Sequence, residues 1–214
     1  MSETQDRRGA AAESLARIGA EHFRRGWCLG TSGNLSAVLE REPLWLLVTA
    51  SGKPKGRLQA DDFLVVDAQG QPEPRAQGRP SAETLLHVAV AQRTGAAAVL
   101  HTHSVAGTLL GEHFRPKGGL TIAGYEMLKG LEGIASHEAS TFLPVLANSQ
   151  DMHVLGEDVR RLFDEYPSLH GFLIAGHGLY TWGDSVEQAQ RHVEILEFLL
   201  EVLLLRTPLE PYVG

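Results

Sequence analysis

The chain has 214 residues, 43% of them hydrophobic and 21% charged, a length that one domain can hold while burying most of its apolar surface. Its 26 acidic and 19 basic side chains leave a formal charge of −7, which, with no dense basic run, argues against binding a nucleic-acid backbone through counterion release. The single Cys28 excludes an internal disulfide and any zinc site built on cysteine pairs. Against it stand ten histidines, so a bound metal is expected to be held by imidazole and carboxylate. The most apolar stretch, Ile195 to Leu205, is broken by Glu197 and Glu201 and is too short to span a bilayer. The polar N-terminus has no apolar core for an export signal. A cytoplasmic protein of one domain, residues 1–214, is expected, with about the first eight residues flexible.

Leu15, Ile18, Ala20 and Phe23 recur at roughly helical spacing until Gly26 stops the segment. GTSGNLSAVLE then reads as a turn entering a strand, with Trp45 to Thr49 and Phe63 to Val66 as further strands around the loop SGKPKG. From Pro80 helices and strands are interspersed. The spacing predicts a helix from Pro80-Ser81 to about Arg93, with Ser81 as its cap, then a buried strand from Ala96 to His103. A short helix follows from Ser104 to about Gly111, with GEHFRPKGGL as a connection after the HTHS segment. Leu120 to Ala123 and Phe142 to Leu146 read as strands, and Asp151 to Tyr166 as an amphipathic helix. Phe172 to Ile174 and Leu179 to Trp182 bracket the turn Ala175-Gly176-His177-Gly178, and Asp184 to Glu187 has capping-box spacing for a last helix reaching Leu205. This pattern predicts an α/β domain with a central mixed sheet and helices on its faces.

The sharpest chemical feature is His101-Thr102-His103. On a strand, residues two apart face the same way, so both imidazoles can converge on one ion. His-x-His is common by chance; support comes from His177, flanked by glycines in a turn that leaves its ring unobstructed. Three imidazoles with an open position make a catalytic metal site, with zinc the default divalent ion. Glu83 is placed in the first turn of the Pro80 helix, where the helix dipole alone explains a carboxylate; facing His101 and His103 it becomes a fourth ligand or a proton-transfer group. Two Gly/Ser loops, Gly30 to Ser36 and Thr49 to Lys53, offer hydroxyls and backbone N–H groups of the kind that nest anions, although turns favour these residues anyway. Neither loop matches a nucleotide P-loop. His22, His87 and His192 read as ordinary helical residues, and His113, His153 and His170 have no paired neighbour. His137 is ambiguous because it lies in the segment after Glu126, and Cys28 reads as a packed small hydrophobe.

In order, SGNLS at 32–36, TASG at 49–52, PSAE at 80–83, HTHS at 101–104 and GHG at 176–178 resemble the class II aldolase family across almost the whole chain. The resemblance implies a three-layer α/β/α sandwich around a mixed, mainly antiparallel sheet. It also implies one divalent metal per subunit on His101, His103 and His177, most simply Zn2+. The substrate's phosphate would lie against Ser32, Gly33, Asn34, Ser51, Gly52 and Ser81. A homotetramer with sites near subunit contacts is implied as well. Within the family, Glu126-Met127-Leu128-Lys129-Gly130 and GHGLYTWG look like the methylthioribulose-1-phosphate dehydratase branch, the lyases of methionine salvage. There Glu126 would be the catalytic acid/base that takes the C3 proton of 5-methylthioribulose 1-phosphate while the C4 hydroxyl leaves as water. The product is 2,3-diketo-5-methylthiopentyl 1-phosphate.

Two other functions compete. A sugar-phosphate aldolase or epimerase of the fuculose or ribulose phosphate type shares the metal and phosphate loops, and Glu83 favours it. An adducin-like assembly domain shares the fold but lacks the metal histidines, which this sequence has.

Overall fold

The computed structural model describes residues 3–74 and 76–208. Helix α1 (Glu3–Arg24) opens the chain, so the N-terminal residues expected to be flexible are helical from Glu3, while Met1 and Ser2 lie outside the described residues. Ala12, Leu15 and Ile18 are buried along one side of it, the stripe that the helical spacing predicts. Strands β1 (Asn34–Arg41), β2 (Leu44–Thr49) and β3 (Phe63–Asp67) follow, and each pairs antiparallel with the next. Next come α2 (Thr84–Thr94), β4 (Ala98–Thr102), α3 (Val105–Phe114), β5 (Gly119–Ala123) and β6 (Ser140–Leu146). The chain finishes with α4 (Met152–Glu165), β7 (Gly171–Ile174), β8 (Gly178–Gly183) and α5 (Val186–Arg206).

The strands form one eight-stranded sheet in the order β3-β2-β1-β4-β8-β7-β6-β5. Only β6 and β7 pair parallel; the other neighbours are antiparallel. Period-2 alternation decides which side each residue feeds. Leu46, Val48, Val99, Phe172, Tyr180 and Trp182 point to one face and pack against Leu86 and Val90 of α2 and Leu155, Val159 and Phe163 of α4. Leu47, Ala98 and Leu100 face the other way, towards Leu15 of α1 and Val193 of α5. Leu173 and Leu179 share that second side with Leu110 of α3 and Leu196 of α5. The result is helices on both faces of a sheet, the three-layer sandwich expected. Each fully buried leucine or phenylalanine contributes about 1.5–3 kcal/mol relative to exposure.

Four boundaries differ from expectation, and each has a local cause. Helix α2 starts at Thr84 rather than Pro80, because Pro80 is held in an antiparallel bridge to Ala50 and stays extended. Glu83 therefore occupies the N-cap position, and Ser81 does not cap the helix; its hydroxyl accepts the Glu83 backbone N–H at 3.3 Å. Strand β4 ends at Thr102, which puts His103 one residue past the ladder. Helix α3, capped by Ser104 at the Gly107 N–H, runs to Phe114 and absorbs much of the segment read as a connection. Helix α5 is capped by Ser185, whose hydroxyl takes the Gln188 N–H, instead of Asp184. Among the described residues no helix is long and apolar enough to cross a membrane.

Candidate metal centre

Three segments meet at the end of the central strands. His101 stands in β4 directly across from Tyr180 of β8, with the two rings stacked 3.9 Å apart. His103 is the residue after β4, and the His177 turn joins β7 to β8. That turn lies so close to the β4 backbone that a Cβ on Gly178 would sit 1.9 Å from the Thr102 carbonyl oxygen. Only glycine admits this approach. The Thr108 hydroxyl of α3 donates to the His177 carbonyl at 3.1 Å and steadies the turn from the other side.

The nitrogens converge. His177 Nε2 lies 3.3 Å from His101 Nε2 and 3.1 Å from His103 Nε2. Glu83 Oε1 is 2.8 Å from His177 Nε2 and 3.7 Å from His101 Nε2, and the four ligand atoms fall within 4.8 Å of one another. His101 Nδ1 donates to the Leu179 carbonyl at 2.9 Å, which leaves its Nε2 as a bare lone pair, the arrangement that orients a metal-ligating imidazole. Burial, countered in part by Glu83, holds His101 far below the usual imidazole range, and burial brings His103 down to about 4. Both rings are neutral at physiological pH. Burial opposes ionisation of Glu83, but positive charge at the His101 and His177 positions, whether carried by a proton or a cation, and the Asn34 amide outweigh it and lower its pKa.

Neutral acceptor nitrogens packed against a carboxylate repel unless a cation lies between them. Tetrahedral zinc with Zn–N bonds of roughly 2.0–2.1 Å sets its ligand atoms about 3.3–3.4 Å apart, close to the spacings found here. The donor set therefore fits a divalent ion held by His101, His103 and His177, with Glu83 beside it. The sequence points to the three imidazoles and, if the start of its helix faces them, to Glu83; the structure brings Glu83 beside them.

The residues assigned to phosphate fall into two groups. Asn34 is 3% exposed, and its amide donates to Glu83 Oε2 and, at 3.3 Å, to the Ser81 hydroxyl. Its carbonyl oxygen takes the His87 Nε2 proton, and His87 Nδ1 meets the Ser36 hydroxyl at 2.8 Å. Asn34 thus orients Glu83, and His87 orients Asn34. Burial pushes the His87 imidazole down to about 4, so it serves as a neutral hydrogen-bonding strut. Gly33 is packed as well: a Cβ there would meet Cys28 Sγ at 2.5 Å and the His101 carbonyl at 2.7 Å. Ser51 and Gly52 are exposed, Ser32 is half-buried, and Ser51 N donates to the Arg79 carbonyl at 3.0 Å, joining its loop to the one that leads to Ser81.

Glu126 stands apart. It begins the 3-10 turn Glu126–Gly130, its side chain is 70% exposed, and its partners are Lys129 and, at 3.6 Å, His137. Hydrogen bonding to Lys129 lowers its pKa, so it is a carboxylate at neutral pH. Cys28 is fully buried, and burial pushes its thiol up to about 12, which leaves it inert as a nucleophile.

Residues 13–204 match the Class II Aldolase and Adducin N-terminal domain. The chain belongs to that family. It is 42% identical over 206 residues to a methylthioribulose-1-phosphate dehydratase of Sorangium cellulosum, covering 92% of this chain and 96% of the relative. It is 46% identical over 198 residues to a dehydratase of the same name from Yersinia enterocolitica, covering 91% and 92%. Among solved structures, L-fuculose-1-phosphate aldolase from Thermus thermophilus aligns with a TM-score of 0.71 at 25% identity, over 93% of this chain and 96% of its own length.

Proposed function

We propose that this protein is a metal-dependent hydro-lyase that dehydrates 5-methylthioribulose 1-phosphate to 2,3-diketo-5-methylthiopentyl 1-phosphate, a step of methionine salvage. The observation that carries this reading is the identity of 42% and 46% to dehydratases of that name over more than nine-tenths of the chain. The convergence of His101, His103 and His177 on a spacing that suits a divalent ion supports it. Zn2+ is the ion proposed, one per subunit. The protein is proposed to be a single domain, cytoplasmic and homotetrameric.

In this reading His101, His103 and His177 hold the ion, and Glu83, fixed by Asn34, lies alongside. A divalent cation there supplies Lewis-acid polarisation of the substrate's C2 carbonyl, which acidifies the adjacent C3–H. Ser32, Gly33, Ser51, Gly52 and Ser81 line the phosphate end, with Asn34 tying that end to Glu83. Glu126, held as a carboxylate by Lys129, takes the C3 proton as general base. The C4–O bond then breaks and the hydroxyl departs with a proton as water. Standing on an exposed turn, Glu126 is proposed to reach the substrate where sites lie near subunit contacts.

The position of Glu83, 2.8 Å from His177, favours a second reading: an aldolase or epimerase that uses Glu83 for proton transfer. The test is to incubate purified, zinc-loaded protein separately with methylthioribulose 1-phosphate and with fuculose 1-phosphate. Loss of water from the first, without carbon–carbon cleavage, supports the dehydratase. Aldehyde release from the second, with no turnover of the first, overturns it.

A further inference from the structure

Lys55 is 2% exposed, an unusual position for a lysine, which is almost never fully buried unless paired. Its partners are not carboxylates. Nζ donates to the Thr31 carbonyl and to the Lys53 carbonyl, each at 2.8 Å, and it enters no ion pair of 4 Å or less among the described residues. Those two carbonyls belong to the two Gly/Ser loops, so one ammonium ties together segments 24 and 2 residues away. Two neutral dipoles offset only part of the several kcal/mol that desolvating an ammonium costs. Burial accordingly draws the Lys55 pKa down, while the Glu83 carboxylate pushes it back up. The ammonium thus touches both loops and lies near enough to Glu83 to feel its charge.

The charges then match the proposed substrate. Glu83 brings one negative charge to the centre and Lys55 one positive charge. With these two opposed, the double charge of a divalent ion is left undiminished at the centre, and the site as a whole balances a phosphate dianion. Without Lys55, Glu83 would cancel half of the ion's charge.

We infer that Lys55 is a positioning residue of the anion subsite: from beneath the Gly30–Asn34 and Ser51–Lys53 loops it fixes their spacing and supplies the buried positive charge that a phosphate monoester binds against. This role rests on the proposed phosphate function of those loops and extends it to a residue outside them that does not itself touch the ligand.

The test uses the full-length zinc-loaded protein with inorganic phosphate as probe, so that it does not depend on which sugar phosphate is turned over. Lys55→Met removes the charge and the clamp; Lys55→Gln removes the charge and keeps a donor on a shorter arm. Both are expected to bind inorganic phosphate ~10–30-fold more weakly by calorimetry, as expected for losing a unit charge several ångströms away at intermediate effective dielectric. Zinc content should stay unchanged, and KM for the sugar phosphate should rise more than kcat falls. Unaltered phosphate affinity in a folded, zinc-replete Lys55→Gln protein overturns the inference. If neither variant folds, the unsubstituted protein decides: the Lys55 Nζ resonance should shift on adding phosphate, and a resonance that stays fixed at saturating phosphate overturns the role. Phosphate affinity that depends on Lys55 in a protein inactive on methylthioribulose 1-phosphate would leave the subsite standing and remove the dehydratase reading.

Discussion

The buried histidine cluster and the exposed EMLKG turn differ in almost every physical respect. The cluster draws on β4, the residue after it, the β7–β8 turn and the start of α2, and the side chains of Glu83, His101 and His177 are at most 16% exposed. The pKa shifts of Glu83, His101 and His103 are set by burial and by neighbours within the chain. Glu126 is 70% exposed, and its carboxylate state depends on a surface lysine. The cluster is built into the sheet, where a change disturbs the core, whereas the turn sits where sequence can change without doing so.

Removing a ligand should give the largest effect. His103→Ala is expected to drop bound zinc from about one ion per chain to a small fraction and to abolish turnover; metal analysis by mass spectrometry checks the first. Glu126→Gln should cost ~10²–10⁴-fold in kcat while zinc content stays the same, as loss of general acid–base help does. Full activity in that variant would remove Glu126 from the chemistry and collapse the contrast between the two regions. Asn34→Ala comes next: it frees Glu83 and orphans His87, so activity should drop ~10–100-fold with zinc affinity weakened in parallel, the usual scale for a group that orients a ligand.

Smaller effects sharpen the comparison through stability. Gly33→Ala forces a Cβ to within 2.5 Å of Cys28 Sγ at a left-handed φ of 71°, and should destabilise by about 1–3 kcal/mol. Gly52→Ala meets open space at a φ of 75° and should cost about 1 kcal/mol, from backbone strain alone. Denaturant titrations of the two variants separate a packed loop from an open one. Glu197 gives the pH arm. Burial raises its pKa from 4.5 to about 7, so the native state holds the proton more tightly than the unfolded chain. Stability is therefore lost as pH rises from about 4.5 through 7. Glu197→Gln should remove that loss, gaining up to ~3 kcal/mol over the parent at pH 8 and little at pH 5.

Much of this was legible in sequence because it is local. A His-x-His on an apolar strand and a glycine-flanked histidine in a turn declare themselves by periodicity of 2 and by turn chemistry. The alternation of Leu46, Leu47 and Val48 marks both sheet faces. What stayed hidden depends on contacts between distant segments. His87 reads as an ordinary helical residue, and only the fold brings it to Asn34, 53 positions away. Lys55, inside SGKPKG, has the composition of a solvent-exposed loop, yet it is buried because α1 and the two Gly/Ser loops close around it. The start of α2 was misplaced for the same reason: Pro80-Ser81 carries every local signal of a helix beginning, but a bridge to Ala50, 30 residues earlier, keeps it extended.

The contact between Gly178 and the Thr102 carbonyl bears on how this protein matures. His101 and His177 are 76 positions apart, and they become neighbours only when β8 docks beside β4. During synthesis, a chain that has not yet released β8 from the ribosome has His101 and His103 but no third imidazole. Such a chain should retain a divalent ion poorly, because the proposed ligand set is complete only once the central sheet is.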